Sequence, residues 1–403
     1  MTDTPRTARR PRRALPAVVV GVLLALTACS SGSGSAGAPT ASPSPPVALT
    51  VVPADGKTGI APAAAVTVST SNASLTQVAV VADSGDTVTG QLSADGRSWR
   101  SRGKLSFGVH YTVTATTPDG KKHRAGAFST AARPGASRSV YTSSVLGDHK
   151  TYGVGMPIIL RLSQGLADRE ARAAFERTLH VRSTPATTGA WGWVNNREIH
   201  FRPQAYWAPQ STVRLTVDSA GRTLGGGYWG RTDMTVDFSI GAHRELIADG
   251  VAHRMWVREG GRVVRTMPVS LGRTKYPSSS GVMLIMDKRP KALFDSSTYG
   301  LPVNDPGGYR TPVEYAMRLT WGGEFIHAAP WSVGDQGRRN VSHGCINMST
   351  PNAAWLFARV LTGDPVVVRN AGPRVDVGNG WSDWSVTFSQ WLERSATGMQ
   401  TTG

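Results

Sequence analysis

Short β-rich runs, each closed by a tight-turn dipeptide, dominate the chain from Ala48 onward and leave little room for any architecture but packed sheets. Leu49-Thr50-Val51-Val52, Val66-Thr67-Val68-Ser69, Val78-Ala79-Val80-Val81 and Tyr111-Thr112-Val113-Thr114 are rich in β-branched and aromatic side chains. Asp55-Gly56, Asp95-Gly96 and Asp119-Gly120 separate them, and Asp-Gly pairs supply the positive φ that hairpin turns need. This spacing predicts an Ig-like β-sandwich over residues 48–130. His110 and His123 are isolated there, so this segment has no cluster of catalytic side chains and reads as a spacer or a wall-contact domain.

A second β-rich, Ig-like segment is predicted over residues 131–241, with one helical insert at Asp168-Arg169-Glu170-Ala171-Arg172-Ala173-Ala174-Phe175-Glu176. Trp191, Trp193, Tyr206, Trp207, Tyr228 and Trp229 surround it. Such aromatics bind sugar rings in some proteins, but more often fill a core or a domain interface, and that is the reading adopted. Residues 242–370 alternate strands with Gly-rich turns and carry one short helix. Thr350 is its expected N-cap, Pro351 its first residue, Ala353 to Leu361 its body and Gly363 its C-cap. In the tail, residues 371–403, Trp381, Trp384 and Trp391 are expected to pack back onto a domain.

The first 28 residues carry an address. Arg6, Arg9, Arg10, Arg12 and Arg13 precede an uncharged stretch from Ala14 to Ala28, too short for a stable membrane span but suited to a signal peptide. Leu26-Thr27-Ala28-Cys29 looks like a lipoprotein cleavage box, with Cys29 the lipidated residue. Residues 29–47 then form a Ser/Pro/Gly-rich tether with no packed core. Together these predict a lipid-anchored protein on the extracytoplasmic face of the cell membrane. The formal net charge of +17 falls to +13 once residues 1–28, with five Arg and one Asp, are removed. The mature chain thus remains attracted to anionic surroundings. With 2 Cys in all, a disulfide scaffold and a Cys₄ metal site are excluded.

The chemistry concentrates in Val341-Ser342-His343-Gly344-Cys345-Ile346-Asn347. Eighteen residues upstream lies His327, in Glu324-Phe325-Ile326-His327-Ala328-Ala329-Pro330-Trp331. A cysteine nucleophile needs a base beside it, because a free thiol ionises near pH ~8.5. It also needs donors for the oxyanion, and glycine lets main-chain N–H groups approach a reacting carbonyl. A polar Ser-His-Gly-Cys segment is a poor apolar core. One unlipidated thiol in an oxidising compartment also needs a reason to persist.

These segments resemble the active-site signature of the L,D-transpeptidases, whose catalytic domain is of the YkuD type. Asp295-Ser296-Ser297-Thr298-Tyr299-Gly300, Gly308-Tyr309-Arg310-Thr311 and Gly363-Asp364-Pro365-Val366 match as well. So does the order of lipoprotein signal, two Ig-like domains, catalytic domain and Trp-rich tail. The resemblance implies a mainly β protein: two Ig-like β-sandwich domains, then a β-rich YkuD-like catalytic domain with a short helix. It implies formation of 3→3 cross-links in peptidoglycan from a tetrapeptide donor stem and an acceptor amine, with release of D-Ala. Cys345 would be the nucleophile and His327 the base, oriented by the main-chain carbonyl of Ala328, where some relatives have Ser. His343 would lie near the thiol, with oxyanion donors around Gly344 and Cys345. Tyr309, Gly322, Gly323, Trp331 and Asn347 match substrate-contacting positions, and residues 291–309 resemble a lid. Phe294 stands where some relatives carry Met, and Trp321 where Tyr is found.

The resemblance also implies carbapenem β-lactams as covalent inhibitors, and no cofactor or metal. No nucleic-acid motif accompanies the basic charge. Three alternatives remain at this point. The same acyl-enzyme would give L,D-carboxypeptidase activity with water, or would join a protein to the wall. A wall-binding lipoprotein with an inactive catalytic-like domain would be expected to lack Cys345 or His327, and both are present.

Overall fold

The computed structural model describes residues 45–403. The signal peptide, Cys29 and most of the tether lie outside the described residues. Within them, no helix is long and apolar enough to cross a membrane.

The first sandwich packs two four-stranded sheets. One orders Leu49–Val52, Thr67–Thr70, Ser98–Ser101 and Gly90–Leu92, and the other Lys57–Ile60, Lys122–Thr130, His110–Thr116 and Gln77–Ala82. Alternate residues of His110–Thr116 point inward, as a half-buried strand requires. Val68, Val80, Trp99, Val113 and Phe128 fill the space between the sheets.

The second sandwich places Thr142–Ser144, Ile158–Leu162, Glu198–Pro203 and Thr188–Trp193 in one sheet. Lys150–Tyr152, Asp233–Ile240, Thr212–Asp218 and Leu179–Thr184 form the other. The helix Arg169–Glu176 starts where the sequence predicts. Asp168 caps it, accepting a hydrogen bond from the Ala171 N–H at 2.7 Å. Trp191, Trp193 and Trp207 are buried in this core, so these aromatics are packing residues.

The catalytic region is built on two further sheets. A five-stranded sheet orders Arg262–Pro268, Arg254–Glu259, Arg244–Asp249, Pro365–Arg369 and Gly281–Leu284. A four-stranded sheet orders Asp287–Asp295, Arg310–Arg318, Phe325–Ala328 and Ile346–Met348. The helix Thr350–Arg359 packs on this second sheet. Its caps differ from the sequence reading. Ser349, with extended backbone, is the N-cap in place of Thr350. The chain leaves the helix at Val360, which turns inward and is buried, so the helix ends before Leu361. Gly363, at φ +92°, belongs to the following turn, where a Cβ would fall 2.6 Å from that of Met156. The expected lid is also shorter than residues 291–309, because its first five residues continue the strand Asp287–Asp295.

The tail returns to the second sandwich. Trp381 and Trp391 are buried, and the Trp384 indole N–H donates to the Gly155 carbonyl at 2.7 Å. Met399–Thr401 adds a fifth strand beside Thr188–Trp193. Glu176 anchors this return. Its carboxylate accepts from the Trp193 indole at 2.8 Å, the Ser395 hydroxyl at 3.1 Å, the Ala396 N–H at 2.9 Å and the Thr397 N–H at 2.8 Å. Nearby, His200 lies between Asp383 at 2.7 Å and Glu198 at 3.0 Å. Burial disfavours its charge, but the two carboxylates outweigh burial and push its pKa up to about 9.

Each hydrogen bond to a buried charge contributes about 1.5–3 kcal/mol. Glu176→Ala is therefore expected to release the tail before the sandwich melts. Amide exchange over residues 395–402 should accelerate about 100-fold, with the strands of the first sandwich unchanged. Equal protection of the tail in variant and wild type would remove Glu176 as its anchor.

Candidate active site

Two short parallel strands bring the motif residues together. Phe325–Ala328 and Ile346–Met348 pair with His327 opposite Asn347 and Ile326 opposite Ile346. Cys345 immediately precedes the second strand, so the register sets it beside the strand of His327. All four residues of Phe325–Ala328 are buried, consistent with an apolar run inside a sheet covered by a helix.

The turn that carries the nucleophile is fixed by hydroxyls. The Ser342 hydroxyl donates to the Cys345 carbonyl at 2.6 Å and accepts from the Gly344 N–H at 3.1 Å. The Ser278 hydroxyl donates to the Gly344 carbonyl at 2.6 Å. Gly344 sits at φ +115°, a conformation a side chain resists, and this is why the motif requires glycine there. The bond to Ser342 has a consequence for the expected oxyanion donors. The Gly344 N–H is already engaged, which leaves those of His343 and Cys345 in this turn.

A cavity of about 320 Å³ opens on the thiol. Cys345, His327, His343, Asn347, Tyr309 and Trp331 all line it, together with Phe294 and Ser342. Gly322, Gly323 and Trp321 do not. Gly322 donates its N–H to Asn379 Oδ1 at 2.9 Å, and Trp321 is 47% exposed. Gly323 instead meets the nucleophile, its carbonyl accepting a hydrogen bond from the Cys345 thiol at 3.7 Å. Phe294 packs edge-on to the His327 ring, with centroids 5.1 Å apart, so the Phe at this position does shape the cavity wall.

His327 donates from Nδ1 to the Ala328 carbonyl at 2.8 Å, which leaves the Nε2 lone pair as the available base. The ring is buried, and burial lowers its pKa to about 4 despite the Ala328 and Asn347 contacts. Burial also pushes the Cys345 thiol up to about 12. The Phe325 N–H opposes the rise and the Glu324 carboxylate adds to it. The resting pair is thus neutral thiol and neutral imidazole.

His343 lies in the same cavity but is held differently. Its Nε2 is 2.6 Å from the Arg273 guanidinium, and its ring stacks on Tyr276 at 4.9 Å. Burial, then Arg273 and Lys275, keep its pKa below the ordinary value. A neutral ring accepting from Arg273 is a wall of the site and not a free base. Sequence reasoning did not find Arg273 and Tyr276, because nothing in the motif points to a segment 70 residues upstream. It also assigned no role to Glu324. Among the described residues, no group of three or more His, Cys, Asp or Glu is placed to hold a metal ion.

Comparisons with known proteins place the chain in a family. A family model for the L,D-transpeptidase catalytic domain, YkuD, matches residues 243–368, and one for a bacterial Ig domain matches residues 57–223. L,D-transpeptidase 2 of Mycobacterium tuberculosis is 36% identical over 399 residues, covering 96% of each chain. The chain belongs to the L,D-transpeptidase family. L,D-transpeptidase 5 of the same organism is 30% identical over 96% of this chain and 85% of its own length. The solved structure of an LD transpeptidase in complex with imipenem matches with a TM-score of 0.50 and 36% identity, covering 56% of this chain and 97% of that one. This L,D-transpeptidase is therefore a mainly β enzyme that joins Ig domain and YkuD catalytic architecture.

The neutral resting pair has a measurable signature. Burial holds the Cys345 thiol well above its ordinary value, so little of it is thiolate at pH 7. Alkylation of Cys345 by iodoacetamide should keep accelerating through pH ~10, with no plateau near the ordinary thiol value. A rate that levels off below pH ~7 would show a thiolate–imidazolium pair instead.

Proposed function

We propose that this L,D-transpeptidase forms 3→3 cross-links in peptidoglycan through a thioester on Cys345. The observation that carries the reading is that Cys345 and His327 line one cavity, with His327 Nδ1 donating to the Ala328 carbonyl and Nε2 left as the candidate acceptor.

The donor is a tetrapeptide stem. As the Cys345 sulfur bonds to the carbonyl carbon of the third residue, a diamino acid, the thiol proton passes to His327 Nε2. Burial disfavours the charged form of each partner, which favours proton transfer coupled to S–C bond formation. The oxyanion is met by main-chain N–H groups of the His343–Cys345 turn. The C–N bond to terminal D-Ala then breaks, and its amine leaves with the proton from His327. An acceptor amine attacks the thioester, the C–S bond breaks, and the thiol is restored.

Phe294, Tyr309, Asn347 and Trp331 support the reading by walling the cavity that opens on the thiol. Attack by water would give L,D-carboxypeptidase activity, and a protein amine would give wall attachment. The relative bound to imipenem supports carbapenem acylation of Cys345 here. The basic charge favours approach to the anionic wall. The leader and Leu26-Thr27-Ala28-Cys29 support lipid anchoring at Cys29 on the extracytoplasmic face, with the enzyme reaching into the wall. Metabolic fatty-acid labelling that persists in Cys29→Ala would overturn the anchor.

Incubation with a disaccharide-tetrapeptide, followed by mass spectrometry, tests the reaction. The expected product is a dimer lacking one D-Ala. Cys345→Ala should give none, and His327→Ala should lose about 10²–10⁴-fold in rate. Ala328→Ser should keep near-normal turnover, since only its carbonyl is used. Tripeptide without dimer would favour the carboxypeptidase reading. An unchanged intact mass after imipenem treatment would count against acylation by carbapenems.

A further inference from the structure

The carboxylate of Glu324 stands against the turn that carries the nucleophile and has no part in the reaction as written above. A Cβ built on Gly344 would lie 3.7 Å from Glu324 Cγ and 3.8 Å from Oε1. The carbonyl of the preceding residue, Gly323, is 3.7 Å from Cys345 Sγ. Oε1 accepts two hydrogen bonds from Ser279, one from its N–H and one from its hydroxyl, both at 2.9 Å. Oε2 takes none from the described residues, and it is not among the side-chain oxygens sealed from solvent without a partner. No described cation offsets the charge: burial raises the carboxyl pKa, and only the two Ser279 bonds oppose that rise. Glu324 also lies outside the lining of the donor cavity, next in the chain to the Gly323 carbonyl that meets Cys345 Sγ.

This placement is unfavourable for the first half of the reaction. A negative charge beside a thiol opposes thiolate character. Although the chain is strongly basic, no Lys or Arg among the described residues neutralises this carboxylate. The penalty vanishes once the sulfur is a neutral thioester. What must then approach is an amine, which at neutral pH arrives protonated and cannot attack until it loses a proton.

We propose that Glu324 is the acceptor-side carboxylate: Oε2 pairs with the ammonium of the acceptor stem beside the Cys345 thioester and takes the proton that the amine sheds before attack. The inference rests on the transpeptidase reading above. In the step, one N–H bond breaks and an O–H bond forms on Glu324. The freed lone pair forms the C–N bond, the C–S bond breaks, and a second amine proton reaches the sulfur through His327. Glu324 returns its proton to solvent. The donor enters from the cavity and the acceptor from the Gly323–Glu324 flank.

The two half-reactions separate the possibilities. Full-length wild type, Glu324→Gln and Glu324→Asp are acylated with a disaccharide-tetrapeptide, with D-Ala release as the readout. The acyl-enzymes are then offered a disaccharide-tripeptide carrying a free side-chain amine, or methoxyamine, which is uncharged at neutral pH. For Glu324→Gln we expect acylation at least as fast as wild type and a ratio of cross-linked to hydrolysed product lowered about tenfold or more. Capture by methoxyamine should fall far less, and Glu324→Asp should recover part of the ratio. An unchanged ratio would overturn the proposal. So would parallel loss of acylation and both captures, which marks a structural residue. A higher KM for the donor alone would assign the carboxylate to the donor's own amine and equally overturn it. Absence of any acyl-enzyme in wild type would instead strike the transpeptidase reading itself.

Discussion

The parallel pairing of Phe325–Ala328 with Ile346–Met348 is the constraint on which the site depends. It sets Cys345 next to the strand that carries His327 and buries both. Burial is costly for either charged form, so the protein stores the pair as neutral partners. The compensation is order. Ser278 and Ser342 fix the carbonyls and one N–H of the turn, and Ala328 fixes the imidazole tautomer. Little has to reorganise when a carbonyl carbon arrives, which is where such sites gain their rate.

Much of this was legible in the sequence, because motif residues carry their chemistry locally. Ser342, His343, Gly344 and Cys345 lie in one turn, and His327 lies on the strand next to it. The Asp-Gly turns marked the sheets, and Asp168 marked its helix. What escaped has a common physical cause. Arg273 acts on His343 only because two distant loops meet, and no periodicity encodes that meeting. Glu324 is visible as a letter, but its lack of a cation is a property of the fold. The helix cap moved by one residue because backbone dihedrals, and not side-chain preference alone, decide where a helix begins.

Charge is used in opposite ways at the two ends of the catalytic region. Near the thiol, burial and then Arg273 and Lys275 lower the basicity of His343, while Glu324 has no cation partner among the described residues. Under the tail, His200 is enclosed by Asp383 and Glu198 and is held protonated. The first arrangement leaves polar groups available to a visitor. The second encloses His200 between two carboxylates and serves as a fastener, with the Arg202 guanidinium donating to the Asp383 carbonyl beside it.

The strand Met399–Thr401 has a bearing on how the protein is made. Ser183 and Thr402, 219 positions apart, share a hydroxyl contact at 2.6 Å where this strand joins the second sandwich. During synthesis the edge Thr188–Trp193 therefore waits, uncovered, until the whole catalytic region has been produced. An open edge is a site for wrong partners, so delay carries a risk of aggregation. A polypeptide cut short within the catalytic region lacks this strand, and the edge Thr188–Trp193 then stays open.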